Sequence, residues 1–406
     1  MKILIYSISS PPEKTGIGKY NSEMIEYFGE KGHAVELVTT MPYYPEWEVH
    51  KEYRGKFSHT ENKGNVTIKR FWSYLPKSDI TSIGRIVKEL TFFFYSLIYL
   101  LKKRIFGYSP EVLIYIAPPF FLPLFVRTLF KKSKQVYHIQ DLEIDAAIEL
   151  KMLPKFLETL LLNFERSILN KMDVISTISR GMELKIKSKN VDKEILLFPN
   201  WSDISKIYPS KTTWLHSKLN IDKSKKLIVY SGNIGNKQGL EILPSVITQV
   251  CKNDNIIHFV ILGEGAFKKS LQELLSKVNK EYYTLSGLVE VEDLNKMLNS
   301  SFIQLVLQKA EGSDSFMPSK LTNILAAGIP SIVTALPKTG LFDVISENNV
   351  ALTCNDNPND LVKKIIHLTQ NEMMYNDISI NARNFAVKAL SKESILDGFI
   401  EYLKKI

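Results

Sequence analysis

Short apolar runs alternate with longer amphipathic segments along this 406-residue chain. Residues 2–8 and 33–39 are apolar runs that predict buried parallel strands. The segment between these runs predicts a helix with an apolar face formed by Tyr20, Met24, Tyr27 and Phe28. The order of strand, glycine-containing loop, helix and strand predicts the start of a Rossmann-like unit.

The same pattern restarts in the second half. Strands with their following turns are predicted at 226–231, 258–265, 283–289 and 302–307. We therefore predict an α/β fold with two Rossmann-like, doubly wound domains facing a cleft. We expect the domains to cover 1–205 and 206–390, with a polar linker at 206–226 and a final helix at 391–406 that packs back on the first domain.

The segment 315–335 combines a helix start, a helix stop and a strand. Pro318 and Ser319 can open a helix, and Gly328 ends it before an apolar strand. Lys320 falls in the first turn, where free N–H groups and a lysine together can bind an anion such as a diphosphate. An ordinary α/β unit with a surface lysine is the alternative interpretation.

A glycine loop follows the first predicted strand. Gly16 and Gly18 allow the backbone to approach a ligand, and Lys19 is adjacent. Asn21 stands where a dinucleotide fingerprint needs its third glycine. The pattern favours phosphate contact and argues against an NAD site.

Residues 90–101 form an aromatic and aliphatic run that ends in Lys102, Lys103 and Arg104. A bilayer-spanning helix needs about 20 apolar residues, so this run is too short to span. One interpretation is an interfacial helix in which Phe92, Phe93, Lys102 and Lys103 contact a membrane. A helix buried in the core is the equally weighted alternative.

Composition and charge indicate which compartment and which classes of partner to expect for this chain. Cys251 and Cys354 are too few for a zinc cluster and indicate a reducing compartment, for which we expect the cytoplasm. The N-terminus lacks a signal-peptide pattern. Residues 1–200 carry 29 Lys and Arg against 22 Asp and Glu, a balance of +7, whereas the remainder carries 23 against 21. This excess favours an anionic lipid or lipid diphosphate over nucleic acid, and a simple solubility charge remains the alternative.

The run Pro318-Ser-Lys-Leu321, together with Leu325-Ala-Ala-Gly328-Ile-Pro330, resembles the donor-sugar motif of glycosyltransferase family 4. These are retaining enzymes with the GT-B fold. The segments 15–20 and 42–47 are similar to the branch of the colanic acid fucosyltransferase and the O-antigen N-acetylfucosamine transferases. The family's two glutamates are replaced here by Ser315 and Asn323.

The resemblance implies a donor site in the second domain. In the loop from Gly232 to Gly239, Asn233 and Gln238 replace the usual basic residues, and Lys237 lies one position early. The implied donor-binding residues are Gly232, Asn233, Gln238, Gly263, Gly265, Gly287, Glu311, Gly312, Pro318, Ser319 and Leu321. The implied catalytic residues are His138, Asp141, Lys237 and Lys320.

The resemblance also implies an acceptor loop in the first domain, formed by Gly16, Ile17, Gly18, Lys19, Tyr43 and Tyr44. Asp141, Glu143 and Asp145 form an acidic group that could bind sugar hydroxyls. His138 lies three positions before Asp141, whereas the family histidine directly precedes the acid. We favour a functional His138 slightly over a packed one.

The expected function is retaining glycosyl transfer from a UDP- or GDP-sugar to an undecaprenyl-diphosphate-linked saccharide. No Asp-x-Asp pair is present, so we expect no metal and no other cofactor. We expect peripheral attachment to the inner face of the cytoplasmic membrane and no nucleic-acid partner. The alternatives are a nucleotide-sugar 2-epimerase and a non-catalytic, membrane-associated sugar-binding protein.

Overall fold

The computed structural model describes residues 1–13, 16–43, 47–76, 82–149, 153–309 and 318–406. They form two compact units, of which unit 1 comprises Met1–Pro199 with Leu396–Ile406 and unit 2 comprises Asn200–Ile395. Each unit contains one mainly parallel sheet connected by helices. The predicted fold class of two Rossmann-like α/β domains is confirmed.

Unit 1 is built on one sheet. Its described strands are β1 (Lys2–Tyr6), β2 (Ala34–Thr40), β3 (Ser58–Lys63), β4 (Val66–Phe71), β5 (Val112–Ala117), β6 (Lys134–Ile139), β7 (Val174–Thr177) and β8 (Ile195–Leu197). Its helices are α1 (Gly16–Glu30), α2 (Ser82–Ile105), α3 (Val126–Leu129), α4 (Glu143–Glu149), α5 (Lys155–Leu169) and α6 (Arg180–Ser188). The strand order is β3-β4-β2-β1-β5-β6-β7-β8, and only the β3–β4 pair is antiparallel. Strands β1 and β5 are almost wholly apolar because parallel sheets are covered on both faces.

Unit 2 has a fully parallel sheet in the order β11-β10-β9-β12-β13-β14. Its strands are β9 (Lys226–Ser231), β10 (Ile257–Leu262), β11 (Tyr283–Ser286), β12 (Ile303–Val306), β13 (Ser331–Thr334) and β14 (Leu352–Cys354). Its helices are α7 (Trp214–Leu219), α8 (Leu243–Asn253), α9 (Lys268–Leu275), α10 (Leu294–Asn299), α11 (Ser319–Ala326), α12 (Gly340–Asn348), α13 (Pro358–Gln370) and α14 (Glu372–Ala389). The predicted linker at 206–226 instead belongs to this unit, because Ile207 and Leu215 are buried in its core.

Helix α11 matches the sequence prediction. Pro318 is its N-cap residue, and Ser319 is its first helical residue. Gly328 adopts a φ of +65°, a left-handed conformation that glycine reaches without strain. Leu321 and Leu325 are fully buried, so the helix packs its apolar face into the core of unit 2.

The last helix, α15 (Lys392–Lys405), contributes to unit 1 from Leu396 onward. The ring of Phe399 stacks on Phe198 with a centroid distance of 4.0 Å. The same ring stacks on Phe28 of α1 at 6.4 Å. The end of the chain is therefore part of the core of unit 1.

Helix α2 corrects the prediction that Phe92 and Phe93 contact a membrane. Phe92 is fully buried and lies 5.4 Å from the ring of Tyr6 on β1, and Phe93 is buried as well. Lys103 is half-buried and forms an ion pair with Glu36 at 2.5 Å, whereas Lys102 is exposed. The run has apolar residues on every side, so its sequence could not indicate which face meets the sheet. No helix in the described part of the chain is long and apolar enough to cross a membrane.

This burial predicts different costs for two neighbouring phenylalanines. We expect Phe92→Ala to lower the free energy of unfolding by about 3–5 kcal/mol, because a buried ring leaves a cavity. Phe94→Ala is the matched control, since Phe94 is 59% exposed on the same helix, and should cost less than about 1 kcal/mol. Urea unfolding followed by circular dichroism measures both. Equal losses would contradict the assignment of Phe92 to the core.

Candidate active site

Two loops meet at the carboxyl ends of β9 and β10 in unit 2. A Cβ atom on Gly263 would lie only 2.1 Å from the carbonyl oxygen of Gly232. Gly265 has a φ of +150°, and a Cβ atom there would lie 2.4 Å from the oxygen of Ile234. Packing between the two loops therefore leaves no room for a side chain at either position. Gly263 and Gly265 therefore shape the site, and their effect on a ligand is indirect.

Lys320 reaches this loop from the first turn of α11. Its Nζ lies 4.1 Å from the ring centroid of Tyr230, a cation–π distance. The same Nζ lies 3.7 Å from the Cβ position of Gly232. Tyr230 donates a hydrogen bond from its hydroxyl to the carbonyl of Asn233 at 2.6 Å. Tyr230 thus connects the lysine to the glycine loop.

The electrostatics of this amine are unusual. Burial lowers the pKa of Lys320 to about 7. Among the residues that the structure describes, no carboxylate forms an ion pair with it. Burial also raises the pKa of Tyr230, which keeps its hydroxyl neutral. An anion beside Gly232 would supply the missing counter-charge and favour the protonated amine.

Sequence reasoning missed Tyr230. The available signal was a tyrosine near the carboxyl end of a buried strand, two positions before the glycine loop. Parallel sheets bind their ligands at that edge.

The glycine loop itself offers less charge. Asn233 and Lys237 are exposed, and the backbone carbonyl of Lys237 accepts a hydrogen bond from Lys309 at 2.9 Å. No described contact joins Lys237 to Lys320. The Oε1 atom of Gln238 is buried and has no hydrogen-bond partner within the described ranges. Lys320 is therefore the more sheltered of the two predicted cations.

The other predicted donor residues have different surroundings. The side chain of Leu321 lies in the core, so only its backbone can face a ligand. Ser319 is exposed and Pro318 is half-buried beside it. A Cβ atom on Gly287 would meet Glu264 at 3.4 Å, an ordinary contact. Three residues from the sequence analysis lie outside the described residues: Glu311, Gly312 and Ser315.

In unit 1, the predicted acceptor loop packs at the start of α1. A Cβ atom on Gly18 would lie 2.6 Å from the Glu13 side chain, so glycine permits this close approach. Asn21 is buried and donates to the carbonyl of Ser9 at 2.7 Å, which fixes the loop after β1. Lys19 lies 3.9 Å from Glu23 in an ion pair, and Ile17 is half-buried. Gly16 has a φ of +57°.

Tyr43 belongs to a group of aromatic and charged side chains. It is buried, and its hydroxyl accepts a hydrogen bond from Nζ of Lys88 at 2.8 Å. The Lys88 ammonium also lies 5.3 Å from the ring of Trp47. Burial lowers the pKa of Lys88. Sequence reasoning missed Lys88, although a lysine inside an apolar helix was a usable signal. The other predicted tyrosine, Tyr44, lies outside the described residues.

The predicted acidic group separates into two environments. Glu143 accepts a hydrogen bond from the backbone of Phe120 at 3.0 Å, and burial with the nearby Glu89 raises the pKa of Glu143 to about 8. Asp141 is exposed. Asp145 instead forms an ion pair with Lys189 at 2.5 Å. Asp145 thus has a structural partner, and Glu143 is the acid with the perturbed pKa.

His138 lies inside the sheet of unit 1. Its Nδ1 is 3.0 Å from the hydroxyl of Ser176 on the neighbouring strand, and its ring contacts Phe198 at 5.0 Å. Burial lowers the pKa of His138 to about 3. This environment favours the alternative interpretation of a packed, neutral histidine over a functional one.

A cavity of about 540 Å³ lies beside the carboxyl ends of β2 and β4. Its lining contains four aromatic residues and two cations, and consists of Met41, Val49, Tyr53, Arg54, Gly55, Lys56, Phe57, Trp72 and Tyr95. Within the described ranges, no group of three or more His, Cys, Asp or Glu residues could hold a metal ion.

Comparison with known proteins defines the class. Residues 212–385 match the family described as glycosyl transferases group 1. The chain is 33% identical over 414 residues to the protein named "Putative colanic acid biosynthesis glycosyl transferase WcaI" of Escherichia coli (strain K12), with 100% of each chain covered. The chain belongs to the group 1 glycosyl transferases and is a glycosyltransferase.

Solved structures agree on the fold. Sucrose-phosphate synthase from Thermosynechococcus elongatus aligns with a TM-score of 0.78 and 15% identity over 99% of this chain and 98% of that chain. Anabaena Alr3699/HepE in complex with UDP and glucose aligns with a TM-score of 0.70 and 12% identity over 100% of both chains. The expected GT-B fold is confirmed.

The pKa of His138 generates a test of its environment. The unfolded chain binds a proton near pH 6.5, whereas the folded protein keeps this ring neutral down to about pH 3. The neutral His138 ring therefore contributes to the free energy of unfolding. This contribution is complete above pH 6.5 and is lost as the pH falls toward 3. Between pH 7 and pH 5, we expect the free energy of unfolding to fall by about 2 kcal/mol more in the wild type than in His138→Gln.

Urea unfolding at several pH values measures this difference. His367→Gln, at an exposed position on α13, is the matched control. If the free energy of unfolding of His138→Gln keeps the full pH dependence of the wild type, the assignment of His138 as a buried, neutral ring is wrong.

Proposed function

We propose that this protein is a retaining, metal-independent glycosyltransferase that transfers a deoxysugar from a UDP- or GDP-sugar to a saccharide on a lipid diphosphate. The sugar would be fucose or N-acetylfucosamine, as the sequence resemblance implies. The product would be a precursor of O-antigen, capsule or exopolysaccharide.

The observation that carries the proposal is the environment of Lys320. Its amine lies over Tyr230 and beside Gly232, at the N-terminus of α11, with no carboxylate partner among the described residues. A donor diphosphate would bring the negative charge that this amine lacks. Free N–H groups at a helix start favour the same anion.

These groups suggest how the leaving group is stabilised. When the sugar–phosphate bond breaks, negative charge increases on the departing diphosphate. A fixed ammonium in a partly buried site stabilises that charge more than the same group in water. Lys320 would have this role, and Tyr230 would hold the glycine loop in place through its bond to Asn233.

The comparisons support the choice of substrates. The name of the E. coli relative refers to colanic acid biosynthesis, which agrees with the resemblance noted from the sequence. The Anabaena neighbour binds UDP and glucose, which supports a nucleotide-sugar donor. The motifs shared with enzymes acting on lipid-linked saccharides support the acceptor.

Unit 1 would bind that acceptor. The half-buried ring of Trp47 lies 5.4 Å from the ring of the buried Tyr43, and Glu143 adds a carboxyl group. Such a mixture suits a saccharide, whose faces stack on rings and whose hydroxyls bond to polar groups. We expect Glu143 and Asp141 to position the acceptor, with transfer on the inner face of the cytoplasmic membrane.

Lys320→Ala should lower turnover by roughly 100-fold or more, because one preorganised charge contact to a developing anion is worth a few kcal/mol. Lys237→Ala should cost less than about tenfold, since an exposed charge is screened by water. Initial rates with the same donor compare the two variants. Wild-type turnover in Lys320→Ala would rule out Lys320 as the main phosphate contact.

A transfer assay tests the function itself. A set of UDP- and GDP-deoxysugars is incubated with a lipid-diphosphate monosaccharide, with and without EDTA. We expect one donor to give a disaccharide product, with anomeric configuration retained and the rate unchanged by EDTA. Free epimerised sugar without acceptor would instead identify an epimerase. Activity lost in EDTA and restored by magnesium or manganese would refute the metal-independent mechanism.

A further inference from the structure

Helix α2 has an exposed apolar face opposite the face that carries Phe92. Its members are between 40% and 71% exposed and are Ile86, Leu90, Phe94, Ile98, Leu101 and Ile105. They recur every three or four residues, so they form one continuous row along the helix. We call this row the α2 stripe.

Helix α5 adds a second exposed row in the same unit. Phe156, Leu160 and Phe164 are spaced four residues apart and are 74%, 62% and 37% exposed. Rings of the loop before α3 connect the two helices. Phe93 of α2 lies 5.7 Å from Phe121, and Phe120 lies 5.9 Å from Phe164. Aromatic contacts thus link helix α2 to helix α5, although the ring on the α2 side, Phe93, is buried and does not belong to the α2 stripe.

The sequence around α2 carries an excess of positive charge, although Lys88 is buried and Lys103 is paired with Glu36. Residues 82–134 contain nine Lys and Arg against two Glu, a balance of +7 that equals the whole excess of residues 1–200. Lys102 is exposed at the last turn of α2. Arg104, Lys131 and Lys132 line one cavity of about 230 Å³ next to that turn.

We infer that the α2 stripe and the exposed row of α5 bind the surface of an anionic phospholipid bilayer. This inference rests on the proposed function, because a lipid-linked acceptor would be met at that surface. Apolar side chains would enter the headgroup boundary, and the cations at the end of α2 would contact lipid phosphates.

The charge distribution favours a bilayer over a second copy of the chain. A symmetric dimer brings the same patch from both copies together. Both ends of α2 carry cations, with Arg85 at one end and Lys102 at the other, and Glu89 is the only acid on the helix. A second copy would therefore meet like charge, whereas anionic lipid supplies the opposite charge.

Vesicle flotation tests the inference. The wild-type chain should bind phosphatidylcholine vesicles containing phosphatidylglycerol, and binding should weaken with added salt and with pure phosphatidylcholine. The variant Leu90→Ser/Phe94→Ser/Ile98→Ser should bind the anionic vesicles at least about tenfold more weakly. A Lys102→Gln/Lys131→Gln/Lys132→Gln variant should lose most of the salt dependence.

The matched control changes three exposed apolar residues on a helix of unit 2. Met373, Ile380 and Val387 on α14 are 75%, 58% and 42% exposed. Their combined replacement by serine should leave vesicle binding unchanged. Thermal unfolding verifies that all three triple variants remain folded.

Several results would overturn the inference. Unchanged vesicle binding by the α2 triple-serine variant is one. A wild-type dimer that the same variant converts to a monomer, without vesicle binding by either, would identify the stripe as an interface between copies. Transfer to a water-soluble, short-chain acceptor keeps the two proposals apart. If that activity is absent while vesicle binding is intact, the proposed function fails and the membrane surface stands.

Discussion

The proposed donor site depends on the half-buried amine of Lys320. Lys320 lies over the ring of Tyr230, 3.7 Å from the Cβ position of Gly232, with no carboxylate partner among the described residues. Water is excluded from one side of this group, so its charged form is disfavoured until an anion arrives. The close packing of the glycine loops fits the same requirement, because side chains at Gly263 or Gly265 would push them apart. A site built this way gains most from a ligand that carries fixed negative charge.

Much of the fold could be predicted because its signals are local. Parallel strands covered on both faces must be apolar throughout, and the runs at Lys2–Tyr6 and Lys226–Ser231 have this composition. Helix α11 was predictable because Pro318 can begin a helix and Gly328 can end it. Two features could not be predicted. An unbroken apolar run does not show which face meets the sheet, so Phe92 and Phe94 were indistinguishable. The burial of His138 depends on neighbouring strands that are distant in sequence.

The candidate site was predicted only in part, for a related reason. Lys320 could be predicted because the motif Pro318-Ser-Lys-Leu321 lies at the start of a predicted helix. Tyr230 and Lys88 act through contacts with residues that are distant in sequence, Lys320 and Tyr43 respectively. Their sequence neighbourhoods resemble ordinary core strands and helices. The charge of this region could likewise be predicted only in part. The +7 excess follows from the sequence, whereas the structure is needed to show which side chains of α2 are exposed beside it.

The proposed mechanism requires that the amine of Lys320 binds the donor diphosphate. Isothermal titration calorimetry with UDP at pH 8, repeated in buffers of different ionisation enthalpy, counts the protons taken up on binding. An amine with a pKa of about 7 is mostly neutral at that pH, so we predict uptake of close to one proton per UDP in the wild type. Lys320→Met should show none. UDP binding by the wild type without proton uptake would contradict the claim.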